Sequence, residues 1–114
     1  MKYAKIKGWG FYVPPKILTN ADLEKMVDTS DEWIIQRTGI KERHIVDEKT
    51  ATSDLCVNAI NMILEGANLT PDDIGLISIG TVTPDNLFPS TACTIQKKLN
   101  MKNNCPAFDF QAGC

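Results

Sequence analysis

Short strand-type runs alternate with amphipathic helical patterns along this 114-residue chain, and that alternation limits the fold more than any other feature. Residues 2–8 alternate loosely and leave through Gly8-Trp9-Gly10, which predicts a first strand; Pro14-Pro15 then stops regular structure. Thr19 or Asn20 caps a short helix that runs through Leu23, Met26 and Val27. Ser30 caps a second helix, with Asp31 and Glu32 in its electropositive first turn, and Gly39 ends it. Ser53 caps a longer helix, with Leu55, Ala59 and Ile63 on one stripe and Cys56, Ile60 and Ala67 beside it. Gly66, then Pro71-Asp72-Asp73, close that helix. Leu76 to Val82 reads as a buried strand, and Pro89-Ser90 opens a helix. Ala92, Ile95, Gln96 and Leu99 face inward on it, and Lys97-Lys98 outward. Ala107 to Phe110 is the last strand. Strands separated by helices predict an α/β layer of parallel strands joined by right-handed crossovers. Three strands make a small sheet, and no helix follows the last one to cover its face. The expectation is therefore a piece of a larger protein, without an internal domain boundary over 1–114.

Composition narrows the function classes. Twelve basic against 14 acidic residues leave a formal charge of −2, which gives nucleic acid or an anionic membrane no electrostatic reason to bind. No apolar run approaches transmembrane length, and Met1-Lys-Tyr-Ala-Lys-Ile-Lys7 lacks the apolar stretch of a signal peptide, so cytoplasm is expected. Four cysteines (Cys56, Cys93, Cys105, Cys114) form no C-x-x-C pair, and His44 is the single imidazole. A zinc site is not expected from that set, nor a disulfide framework. Cys56 and Cys93 fall in helical patterns, where a free thiol behaves as a small hydrophobe.

Cys114 stands apart by position. The strand Ala107–Phe110 leads through small residues, Gln111-Ala-Gly113, to its thiol. Strand, tight turn, nucleophile, helix is a way of presenting a reactive side chain, and a helix N-terminus lowers a thiol pKa from roughly 8.5 to well below 8. Two readings stand on the spacing alone: a nucleophile, or a core cysteine.

Thr29, Trp33 and Arg37 form a second constellation. On a helix that starts after Ser30, Trp33 and Arg37 lie about 40° apart in projection and share a face. Ile34 and Ile35 make the buried side. An indole beside a guanidinium can clasp a flat anionic group, the ring stacking on a base and the cation meeting phosphate. An adenine nucleotide handle fits; so does an amphipathic helix whose exposed face merely carries both residues. Leu87 and Phe88, in the loop Asn86-Leu-Phe-Pro-Ser90, either line a pocket, meet a partner chain or pack on their own loop. His44 follows a helix end in a basic stretch with no carboxylate motif to orient it, which assigns it a structural or surface role.

These segments together resemble β-ketoacyl-[acyl-carrier-protein] synthase III, the condensing enzymes that start bacterial fatty-acid synthesis. The matching stretches are Thr19 to Ile34, Arg37 to His44, Phe88 to Cys93, and Pro106 to Cys114. The resemblance implies a thiolase-like fold, layered α/β/α/β/α, of which this chain is part of the N-terminal half. It implies that Cys114 is the acyl-accepting nucleophile. Trp33 and Arg37 would grip the adenine end of coenzyme A with Thr29 nearby, and Phe88 would bound the acyl pocket of the other subunit of a homodimer. The family's catalytic histidine and asparagine come from the second half of its chain, and His44 matches neither.

The implied reaction joins a short acyl-coenzyme A to malonyl-acyl-carrier-protein, with decarboxylation, giving a 3-oxoacyl-acyl-carrier-protein. It needs no metal or redox cofactor. Three rivals remain: a related enzyme of secondary metabolism using another starter, which Val82, Leu87 and Phe88 would help choose; a non-catalytic half-domain pairing with a second chain; and a redox-responsive thiol protein using Cys114. The long match from Thr19 to His44 argues against the last, since redox sensing has no need of a nucleotide clasp.

Overall fold

Backbone hydrogen bonding, rather than apolar runs alone, decides where this chain becomes regular. A computed structural model describes residues 3–111. They fall into two compact units: one built from the residues up to Tyr12 together with those from Thr50 onward, the other from Val13–Lys49.

The Val13–Lys49 unit opens with strand β1 (Lys16–Thr19), directly after the two prolines. Prolines favour extended backbone and so lead readily into a strand end, where the sequence reading had regular structure stop. Thr19 caps helix α1 (Asn20–Glu24): its hydroxyl accepts from the Asp22 N–H, and the Asp22 carboxylate accepts from the Thr19 N–H. The helix is shorter than predicted, and Met26 and Val27 lie exposed beyond its end. Helix α2 (Asp31–Thr38) has the predicted Ser30 cap, and Gly39 ends it with φ +71°, a left-handed conformation that favours glycine. Strand β2 (Glu42–Ile45) then pairs antiparallel with β1, Ile17 opposite His44. Its sequence, Glu-Arg-His-Ile, is mostly charged and polar. Yet Arg43 and Ile45 are half-buried while Glu42 and His44 are exposed, the alternation of a strand with one covered face.

The other unit is built on helix α3 (Thr52–Ala67), α4 (Thr91–Lys98) and the parallel pair β3 (Ile77–Gly80) and β4 (Ala107–Phe110), with a short 3-10 turn at Pro71–Asp73. Thus β3, α4 and β4 make the β–α–β arrangement that the alternation predicts. The three-stranded parallel sheet is not found: among the described residues the sheets are two-stranded, one antiparallel and one parallel. The predicted first strand is the missing member, since residues 3–10 carry no strand. That segment instead presses on α3. A Cβ added at Gly10 would stand 2.6 Å from the Ala59 carbonyl oxygen and 2.8 Å from Ile63, so glycine is what permits the approach.

Helix α3 starts one residue before the predicted cap. The Asp54 carboxylate accepts from the Ala51 N–H at 3.0 Å, which leaves Ser53 inside the first turn, and the helix continues through Gly66 to a left-handed Asn68. Ile77, Ala92 and Ile95 form the buried core, with Cys56, Val57, Ile60 and Leu99 packed against it. Leu76, placed in the buried strand by its apolar neighbours, is exposed.

Candidate functional site

Local rules build the α2 site. Ser30 Oγ accepts from the Trp33 N–H at 3.1 Å and fixes the first turn, and Ile34 is buried beneath it. The helix then has one covered side, and Trp33 and Arg37 stand on its exposed side; the indole is 53% exposed. The Arg37 guanidinium carbon lies 4.8 Å from the centre of the Trp33 ring, a cation–π stack. Thr29 is half-buried and, with Asp28, Ser30 and Trp33, lines a hollow of about 360 Å³. Trp33 thus links the other two residues singled out in the sequence: it lines the hollow with Thr29 at the start of α2 and stacks with Arg37 in the last turn. Stacking holds two large side chains in place before any ligand arrives, which lowers the rotamer freedom lost on binding. Such a pair offers an aromatic surface and a planar cation with several donors to a flat, anionic group.

Cys114 lies outside the described residues. What is described is the strand that leads to it. On β4, the Asp109 carboxylate accepts from the N–H groups of Thr91 (2.6 Å) and Ala92 (2.8 Å), at the start of α4. Burial works against ionisation of Asp109, but those N–H groups and the Thr91 hydroxyl outweigh it and hold the carboxyl below its ordinary value. The same region carries a chain of polar contacts. The Ser53 N–H donates to Asp85, the Asp85 N–H donates to the Thr91 hydroxyl, and Lys98 Nζ donates to Ser53 Oγ at 2.7 Å and to Asp54 at 2.5 Å.

Leu87 and Phe88 do not pack on their own loop. Both project almost fully into solvent, just before α4, and the Phe88–Pro89 peptide bond is cis. Val82 is exposed as well. His44 Nδ1–H donates to the Pro14 carbonyl at 2.6 Å, tying β2 to the first residue of the double proline; that is a structural role, as its context predicts. Cys56 is half-buried, and burial, aided by the charges of Asp85 and Asp109, pushes its thiol up, away from the reactive thiolate. Cys93 is exposed rather than buried, and accepts from the Ser90 hydroxyl. Among the described residues no group of three or more His, Cys, Asp or Glu is placed to hold a metal ion, and no helix is long and apolar enough to cross a membrane.

Two further residues build this region, though in the sequence Asn20 looks like a helix cap and Asp109 like part of a strand. An ionisable residue inside Ala-Phe-Asp-Phe, a run otherwise apolar, was the signal for Asp109.

No family model matches the chain. The β-ketoacyl-[acyl-carrier-protein] synthase III of Thiobacillus denitrificans is 58% identical over 114 residues, covering 100% of this chain and 36% of that protein. The protein of the same name from Caldanaerobacter subterraneus subsp. tengcongensis is 60% identical over 111 residues, 97% of this chain and 33% of that one. The crystal structure of 3-oxoacyl-[acyl-carrier-protein] synthase III from Aquifex aeolicus matches with a TM-score of 0.88 at 51% identity, covering 95% of this chain and 34% of the other. The chain spans about a third of the length of the curated relatives it matches, and the fold is the thiolase-like α/β fold of those structures. Over its whole length, the chain matches the N-terminal part of proteins named β-ketoacyl-[acyl-carrier-protein] synthase III.

Proposed function

We propose that this chain provides the acyl-accepting and nucleotide-gripping part of a condensing enzyme that joins a short acyl-coenzyme A to malonyl-acyl-carrier-protein. The observation that carries the reading is the exposed Trp33–Arg37 stack beside the Thr29 hollow, in a chain with relatives of that name. In the proposed reaction the indole and guanidinium hold the nucleotide end of the donor. The Cys114 thiolate attacks the thioester carbonyl, the carbon–sulfur bond to coenzyme A breaks, and coenzyme A leaves with the electron pair. Malonyl-acyl-carrier-protein then loses carbon dioxide. The resulting carbanion attacks the acyl-cysteine and expels the Cys114 thiolate, giving a 3-oxoacyl-acyl-carrier-protein. This chemistry runs on the cysteine and backbone donors, with the histidine and asparagine expected from another part of the protein, and requires no metal or redox cofactor. Residues 1–114 act as part of one condensing-enzyme domain of a cytoplasmic homodimer, and Phe88 bounds the acyl pocket of the other subunit. Its near-complete exposure supports that placement, since an apolar ring in solvent gains by being covered.

The test is chemical. The full-length protein carrying this chain, incubated with labelled acetyl-coenzyme A, should carry the label on the peptide containing Cys114, and Cys114→Ser should abolish it. Label on Cys56, Cys93 or Cys105 would overturn the assignment.

A further inference from the structure

The side of α2 turned away from the Trp33–Arg37 stack is held by one buried amide. Asn20 is 2% exposed, the largest departure from polarity-outside in its unit. Its Nδ2 has two hydrogens, and both are used. One goes to Asp31 Oδ1 at 2.7 Å, on the first residue of α2; the other goes to the Ile40 carbonyl at 2.9 Å, just past the Gly39 that ends α2. Its Oδ1 accepts from Arg43 Nη1 on β2, and its own N–H donates to the Lys41 carbonyl at 3.3 Å. The amide therefore joins the beginning of α2, the residue beyond its end, and the strand that follows. Asp31 is held from a second side, where its N–H donates to Glu24 Oε1 at 2.7 Å.

No other side chain of this size makes the same set of bonds. Aspartate at position 20 would turn a carboxylate toward the Asp31 carboxylate and the Ile40 carbonyl, with no donor for either. Leucine would match the volume but leave the Ile40 carbonyl and the Arg43 guanidinium without this partner. Apolar packing under Ile34 fixes how deep α2 sits. Directional bonds at both ends fix its rotation about its own axis, and rotation decides whether Trp33 and Arg37 face the same ligand.

We propose that Asn20 is a positioning residue for nucleotide binding: by holding both ends of α2 through Asp31 and Ile40, it sets the orientation of the Trp33–Arg37 stack. The inference rests on the nucleotide reading given above, and it concerns a residue that touches no ligand.

The test compares two probes on the full-length protein by calorimetry: acetyl-coenzyme A, and S-acetyl-pantetheine, which lacks the nucleotide. Arg37→Ala is the control for the reading itself. It should weaken the first probe and leave the second nearly unchanged. Asn20→Leu should weaken acetyl-coenzyme A by about tenfold, within the range for members of one hydrogen-bond network, and spare S-acetyl-pantetheine. Because a buried substitution can prevent folding, exposed Asp31 supplies the second route. Asp31→Ala should show the same selective loss, whereas Asp31→Asn, which retains an acceptor oxygen for Asn20, should restore most of the affinity. If Arg37→Ala discriminates but Asp31→Ala weakens both probes equally, or Asp31→Asn fails to rescue, Asn20 is merely structural and the proposal is overturned. If Arg37→Ala does not discriminate, the nucleotide reading fails, and the inference with it.

Discussion

The two units of this chain are held together by different physics. In the unit containing β3, α4 and β4, the buried hydrophobic cluster is Ala92 and Ile95, with no exposed surface, and Ile77, with very little, although Ser53 and Thr91 are fully buried there as well. In the Val13–Lys49 unit a fully buried side chain is an amide, Asn20, ringed by Asp31, Ile40 and Arg43. Apolar burial is non-directional and tolerates exchange of similar volumes; hydrogen bonds are directional and tolerate almost none. The difference teaches where orientation matters. The unit with the buried amide carries the exposed Trp33–Arg37 stack, while the other carries a parallel strand pair and its crossover helix over an apolar cluster.

The largest effect should come from the apolar centre. Ile95→Ala removes a fully buried side chain and should cost about 2–5 kcal/mol, read as a lower midpoint in chemical denaturation. Ile95→Val should cost far less, about 0.5–1.5 kcal/mol, as a volume rule requires. Equal losses for the two would break the comparison. Next comes Asp109→Asn, which leaves one of the Thr91 and Ala92 N–H groups facing an amide hydrogen. A loss of about 1.5–3 kcal/mol is expected for a charged hydrogen bond. Its sign with pH is fixed: the folded-state pKa is depressed, so the stabilisation is present above the unfolded carboxyl value of about 3.9 and is lost as pH falls through the folded value. Denaturation between neutral pH and about pH 3 should show the variant and the parent converging on acidification. Divergence would remove the charge from the explanation.

The smallest effect sharpens the comparison from the other side. Ser30→Ala removes the cap of α2 and should cost about 1 kcal/mol. Hydrogen exchange should quicken at the amides of Trp33 to Thr38 while the core amides of Ile77 and Ile95 keep their protection. Quickening in both sets together would mean that the two units open as one.

Much of the fold was legible where local chemistry is strong. Ser30 and Gly39 bracket α2 as read, Ser90 caps α4, and Ala107–Phe110 is a strand with the predicted bounds. Each of those rests on a cap, a turn residue or a short apolar run bounded by proline, all of which act within a few residues. The misses are of another kind. Residues 3–10 alternate like a strand but press on α3 through Gly8 and Gly10, and β2 is a strand despite reading Glu-Arg-His-Ile. A strand exists only with a partner, and the partner of β2 lies more than twenty residues back in the chain, Ile45 facing Lys16 and Glu42 facing Thr19 at opposite ends.

The candidate site divides in the same way. Sequence by itself determined that Trp33 and Arg37 share a helix face, because four residues make nearly one turn, and that Ile34 lies on the other side. It also determined, by resemblance, which residues to watch: Thr29, Trp33, Arg37, Phe88 and Cys114. Tertiary structure alone decided that Arg37 stacks on the Trp33 ring, that Leu87 and Phe88 stand in solvent, and that Asn20 and Asp109 are the polar ties behind α2 and α4. The reason is range. Capping and helical spacing are set by covalent neighbours, whereas the buried Asn20 amide and the half-buried Asp109 carboxylate find their partners 11 to 23 residues away, at distances fixed only when the chain has folded around them.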